Sequence, residues 1–165
     1  MRLVDRLVQR ALRRPVAVLV RQALDEQWND AVLYRHLVHG DPARLHVDPT
    51  AVVNNALFNL ASGDITVGRY AFFGHNVAVL TGTHDIERFH RARQKTVPKT
   101  GRDVVIGDGA WLASHTLVFG PSVIGEHAVV AGGSLVLGDV PPYTVVAGRP
   151  AEPIRAIDRP PSAGS

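Results

Sequence analysis

The sequence contains no cysteine, one methionine and few aromatic side chains, 6% of 165 residues. The missing thiols exclude disulfides, Cys-ligated zinc, iron–sulfur clusters and acyl-cysteine chemistry. They also fit a reducing compartment, so a cytoplasmic location is expected. Long hydrophobic runs are missing too. The longest purely aliphatic stretch is Val16–Val20, far short of a membrane span. No small-residue cleavage pattern follows it, so no secretory signal is read. Scarce aromatics, and Lys and Arg that are not spread along the chain, argue against a nucleic-acid face. No G-x-S-x-G stretch occurs, so a serine-hydrolase elbow is not expected. What remains is 45% apolar and 20% charged, enough for one domain with its own core.

The net charge of +3 is unevenly placed. Residues 1–22 hold Arg2, Arg6, Arg10, Arg13, Arg14 and Arg21 against Asp5. The basic balance is therefore a property of the N-terminus. There Leu3, Val4, Leu7, Val8, Ala11 and Leu12 recur at helical spacing with Arg opposite, which predicts an amphipathic helix. Pro15 is expected to break it. A second helical run extends from Val16 to His39 and stops at Gly40-Asp41-Pro42. Residues 1–40 thus read as a helical cap or extension. Its basic face either packs on the domain or makes peripheral contact with an anionic membrane through residues 1–22.

The informative pattern lies in residues 104–141. Ile106, Leu112, Val118, Ile124, Val130 and Val136 follow one another at intervals of six. Four residues after each stand Ala110, Thr116, Ser122, Ala128, Ser134 and Val140, nearly all small. A period of six fits neither an α-helix nor an unbroken strand. It fits a parallel β-helix of short strands and tight turns, three hexads to a coil. The aliphatic position fills a narrow prism and the small one a crowded place beside it. The same frame runs upstream through Val47 and Val53, with Ala51 and Leu57, and through Val67, Phe73 and Val79. Two residues too many between Val53 and Val67 predict a bulge near Ala61–Asp64. The gap from Val79 to Ile106 predicts an inserted 20-residue loop, 85–104. Loops of that length in a compact domain usually carry function. This one holds Arg88, Arg91, Arg93, Lys95, Lys99 and Arg102 against Asp85, Glu87 and Asp103. Residues 158–165 read as a flexible tail.

The run from IGDGAWLASH to PPYTVVAGRPAEPIR resembles the hexapeptide-repeat acyltransferases. LTGTHD before a charged loop is similar to the galactoside, maltose and colanic-acid-type sugar O-acetyltransferases. The resemblance implies an all-β fold, a left-handed parallel β-helix of hexapeptide coils over residues 41–157. It also implies a homotrimer with acyl-CoA sites between neighbouring subunits. The function it implies is acetyl transfer from acetyl-CoA to a sugar or glycan hydroxyl. N-acyl transfer to an amine, or a non-catalytic β-helix binding module, are the alternatives. The acceptor and the length of the acyl chain are not readable.

The resemblance also implies roles for particular residues. His84, at the mouth of the coil before the loop, matches the family's general base; a neutral imidazole suits proton removal from a hydroxyl. Trp111, Ser114 and Gly132 match positions around the thioester and pantetheine arm. Arg149 and Arg155 are the cations left for the phosphates of coenzyme A, because Gly138 and Glu152 stand where the family usually has cations. On the acceptor side Leu57 replaces an expected Asn, and Asn59 remains as the candidate. No His pair has the five-residue spacing that the zinc site of β-helical carbonic anhydrases needs, so no metal is expected.

Overall fold

The computed structural model describes the backbone of residues 3–159 and the side chains of residues 15–159. The end of the expected tail, 160–165, lies outside the described residues. The chain divides into two units, residues 1–35 and 36–165.

The first unit is one α-helix, α1, Leu3–Tyr34, with Pro15 inside it. The expected break at Pro15 is therefore not made: loss of one N–H does not end a helix whose neighbouring turns keep their bonds. The helix also stops earlier than the sequence suggested. Leu37–His39 is a strand, paired in parallel with Leu57–Asn59. Val16, Val20, Leu24, Trp28 and Val32, spaced four apart, are all exposed on α1. The Arg-bearing face of residues 3–14 falls outside the described side chains. No helix among the described residues is long and apolar enough to cross a membrane.

The second unit is a coil with three faces. Face I holds strands 37–39, 57–59, 78–80, 117–119 and 135–136. Face II holds 45–47, 65–67, 104–106 and 122–124. Face III holds 72–73, 111–112, 129–130, 144–148 and 151–156. Consecutive strands visit the three faces in turn, so each strand pairs with one a full coil away. Leu117 stands beside Leu135, 18 residues on, which is three hexads. Every pairing is parallel except the last, 144–148 with 151–156, which closes the stack.

The six-residue period is the packing rule. Ile106, Leu112, Val118, Ile124, Val130 and Val136 are all at or below 2% exposed. The small positions Ala110, Thr116, Ser122, Ala128 and Ser134 are buried with them. Burying each aliphatic side chain contributes about 1.5–3 kcal/mol, and the stack repeats that gain coil after coil.

Upstream the frame slips. Leu57 was expected to point inward with the small positions, but it is exposed, while Ala56 and Phe58 are fully buried. The turn at Asn54-Asn55 is one residue short, and Asn54 takes a left-handed φ of 45° to close it. The frame returns at Ile65 and Val67, after extra residues at the expected bulge. Ala78 pairs with Leu117, 39 residues on; the excess over one coil is the inserted loop, now an arm carrying a short helix, α2, His90–Lys95.

Candidate active site

The strand Ala78–Leu80 leads straight into Thr81-Gly82-Thr83-His84. Thr81 is fully buried and anchors this stem. Its hydroxyl donates to Asn59 O at 2.7 Å and accepts Ser62 N at 3.1 Å. Gly82 has no side chain because none fits: a Cβ there would lie 2.6 Å from Asn59 Oδ1. The Asn59 amide therefore sits against Gly82, two residues from His84. Its oxygen also accepts Ala61 N at 3.0 Å. The structure thus brings Asn59 and His84 to the same corner, between faces I and II.

His84 is exposed, and its Nδ1 lies 3.0 Å from Arg93 O on α2. A carbonyl can only accept, so Nδ1 is the donor, and in the neutral imidazole Nε2 then keeps its lone pair. That is the tautomer a general base needs. Asp85, next in sequence, turns its carboxylate to other partners. Its carboxylate accepts Glu87 N at 3.1 Å and pairs with Arg88 at 3.2 Å, and its own N–H donates to Thr96 O. It organises the arm.

Arg44, which sequence reasoning missed, and Arg102, read there only as one of the loop's charges, hold the arm to the coil. Arg44 donates to Asp64 at 2.5 Å, to Leu60 O at 3.1 Å and to Lys99 O at 3.0 Å. Arg102 donates from Nε to Thr81 O at 2.9 Å. No periodicity marks either one. Their partners are mostly carbonyls, which every residue carries.

The cofactor candidates form a second group. Ser114, Gly132 and Arg149 line the corner between faces III and I. Ser114 Oγ accepts His75 N at 3.1 Å, and Ser114 O accepts Gly133 N at 3.0 Å. A Cβ on Gly132 would come within 3.2 Å of Ser114 O. Arg149 Nη1 donates to Gly133 O at 3.3 Å, leaving other N–H donors of the guanidinium turned to solvent. Trp111 stands on face III, 41% exposed, stacked on Phe72 at 5.5 Å with the rings 14° apart. It continues an outward row of Val52, Phe72, Trp111, Val129 and Val145. Arg155 lies on the closing strand, beside Val145. Space around Gly138 is open, with nothing within 4 Å of a Cβ built there.

Within one chain the two groups do not meet. They flank face I, whose strands are at most three residues wide, or about 10 Å. Among the described residues no cluster of three His, Cys, Asp or Glu could hold a metal ion.

A Schizosaccharomyces pombe protein, named only provisionally as an acetyltransferase, is 35% identical over 94 residues, 57% of this chain and 44% of its own. A maltose O-acetyltransferase from Clostridium difficile 630 superposes with a TM-score of 0.53 at 26% identity, covering 74% of this chain and 66% of that one. A galactoside acetyltransferase in complex with coenzyme A superposes with a TM-score of 0.53 at 25% identity, covering 74% and 60%. No family model matches the chain. The chain spans about half the length of the first curated relatives it matches. By its buried hexads, its three-faced parallel coil and these relatives, the chain is similar to the hexapeptide-repeat acetyltransferases.

Proposed function

We propose that this chain is an acyl-CoA-dependent O-acyltransferase that moves an acetyl group from acetyl-CoA to a sugar or glycan hydroxyl. The catalytic unit is the coil of residues 41–157 with its arm 85–104, and residues 1–40 extend it. The coil is left-handed, and the active molecule is a homotrimer in the cytoplasm. The observation that carries the reading is His84: a solvent-facing imidazole at the coil's mouth, its Nδ1 proton held by Arg93 O.

The chemistry follows from that tautomer. Nε2 removes the acceptor's hydroxyl proton as its oxygen attacks the thioester carbonyl. Backbone amides stabilise the tetrahedral oxyanion. Collapse expels the thiolate of coenzyme A, which takes the proton back from the imidazolium. Asn59 binds the acceptor beside Gly82. Trp111, Ser114 and Gly132 line the path of the pantetheine arm, and Arg149 and Arg155 meet the phosphates. A homotrimer supplies what one chain lacks, because the second group of a neighbouring copy would face His84. Similarity to named maltose and galactoside acetyltransferases supports the reaction class.

The test is acetyl-CoA with a panel of sugar acceptors, followed as thiol release and by mass spectrometry of the products. His84→Ala should keep the fold and lose about 10²- to 10⁴-fold in turnover, the usual cost of removing a general base. Activity within a few-fold of wild type would show that His84 is not the base.

A further inference from the structure

The cations of the arm are unequal once their partners are traced. Arg88 pairs with Asp85 at 3.2 Å. The Arg93 guanidinium donates to Arg88 O at 2.6 Å and Ile86 O at 3.0 Å, and lies 5.0 Å over the Phe89 ring. Arg102 is tied to Thr81 O. The Asp103 carboxylate accepts Asp64 N at 2.8 Å. Arg91 and Lys95 pair with no carboxylate among the described residues, and both are exposed. They stand four apart on α2, so they share one face and repel each other. Elsewhere the coil is acidic: residues 36–84 and 105–159 hold eight carboxylates against five arginines. The surplus positive charge of this unit is thus confined to the arm.

The position of that charge matters as much as its sign. The helix bearing it is the one whose Arg93 carbonyl orients His84. Arg91 and Lys95 lie two residues to either side of that carbonyl. An acceptor with its hydroxyl at Nε2 would stand against the helix that carries both long side chains, whereas the pantetheine arm of an acyl-CoA holds its phosphates away from the thioester at Nε2.

We propose that the acceptor carries an anionic group, a carboxylate or a phosphate, held between Arg91 and Lys95. The proposal rests on the reading of His84 as the base. An anion there removes the repulsion between the two cations, and it fixes the sugar at a second point besides the reacting hydroxyl.

The experiment compares methyl glucoside, methyl glucuronide and glucose 1-phosphate as acceptors for the full-length protein with acetyl-CoA. Equilibrium binding of the same three compounds to wild type, to His84→Ala and to the Arg91→Ala/Lys95→Ala double variant is measured alongside. At least one charged sugar should bind and react with a KM about 10- to 100-fold below that of the neutral one, the usual effect of a charge-assisted contact. The double variant should lose that preference, keep its rate on the neutral acceptor, and lose the salt sensitivity of binding. Which charged sugar wins separates carboxylate from phosphate. Equal binding of all three sugars by wild type, or a preference that survives in the double variant, overturns the proposal. If His84→Ala keeps full activity while the binding preference holds, the base assignment fails and the anion site stands.

Discussion

At the scale of single residues, the proposed donor site rests on few cations. Arg149 keeps free donors beside the Gly132 ridge. Arg155 Nη1 reaches only its own neighbour, Ala156 O, at 3.2 Å. Replacing either by Ala should raise the KM for acetyl-CoA about 10- to 100-fold, with turnover at saturation little changed, because phosphates far from the thioester are bound alike in ground and transition states. Gly138→Lys should lower the same KM, since the open space there admits a side chain without a clash. A donor KM unmoved by all three substitutions would place the phosphates elsewhere. The place of His84 at the coil's mouth could be read from sequence because it follows a hexad, whereas its role as base comes from the resemblance and is a proposal. Arg44 could not: it acts through two carbonyls and one carboxylate that only the fold brings to it.

At the scale of elements, the arm and the coil turns invite separate tests. Arg44→Ala should free the end of the arm near Lys99 and lower kcat/KM for the acceptor, while the melting temperature falls only slightly. Hydrogen exchange confined to residues 85–103 would report the loosened segment; unchanged exchange there would show that Arg102 suffices. The turn at Arg69 carries a pH signature. The Arg69 side chain, and then its backbone N–H, hold the Asp108 carboxyl below its ordinary range, and the Thr50 hydroxyl does the same for Asp48. A lowered folded-state pKa contributes stability above the ordinary carboxylate range, lost as pH falls through the lower folded value. Asp108→Asn should therefore flatten the acid limb of melting temperature against pH; an unchanged limb would show that the pair is not coupled to folding. The strands were legible because the prism admits only certain sizes at fixed intervals. The slip at Leu57 was not, since a turn shortened by one residue leaves aliphatic residues on either side of the change. The helix through Pro15 was missed because a proline is a strong local signal and the continuity around it is collective.

At the scale of the whole molecule, the separation of the two groups across face I is the main consequence of the fold. The outer side of that face presents Leu57, Leu117 and Leu135 in one register row. Half-exposed aliphatic rows of this kind favour association. The account predicts a homotrimer by sedimentation, and a fully active monomer at micromolar concentration would contradict it. The most direct measurement of a site shared between copies is complementation. His84→Ala removes the base and leaves the Gly132 corner intact, whereas Gly132→Trp blocks that corner and leaves the base. Each variant alone should be inactive. Co-expressed in equal amounts and assembled at random, they should regain about a quarter of the wild-type thiol release, because each site draws one group from each of two symmetry-related neighbours. No recovery from assembled mixed trimers would mean that the site lies within a single chain, and would contradict the account.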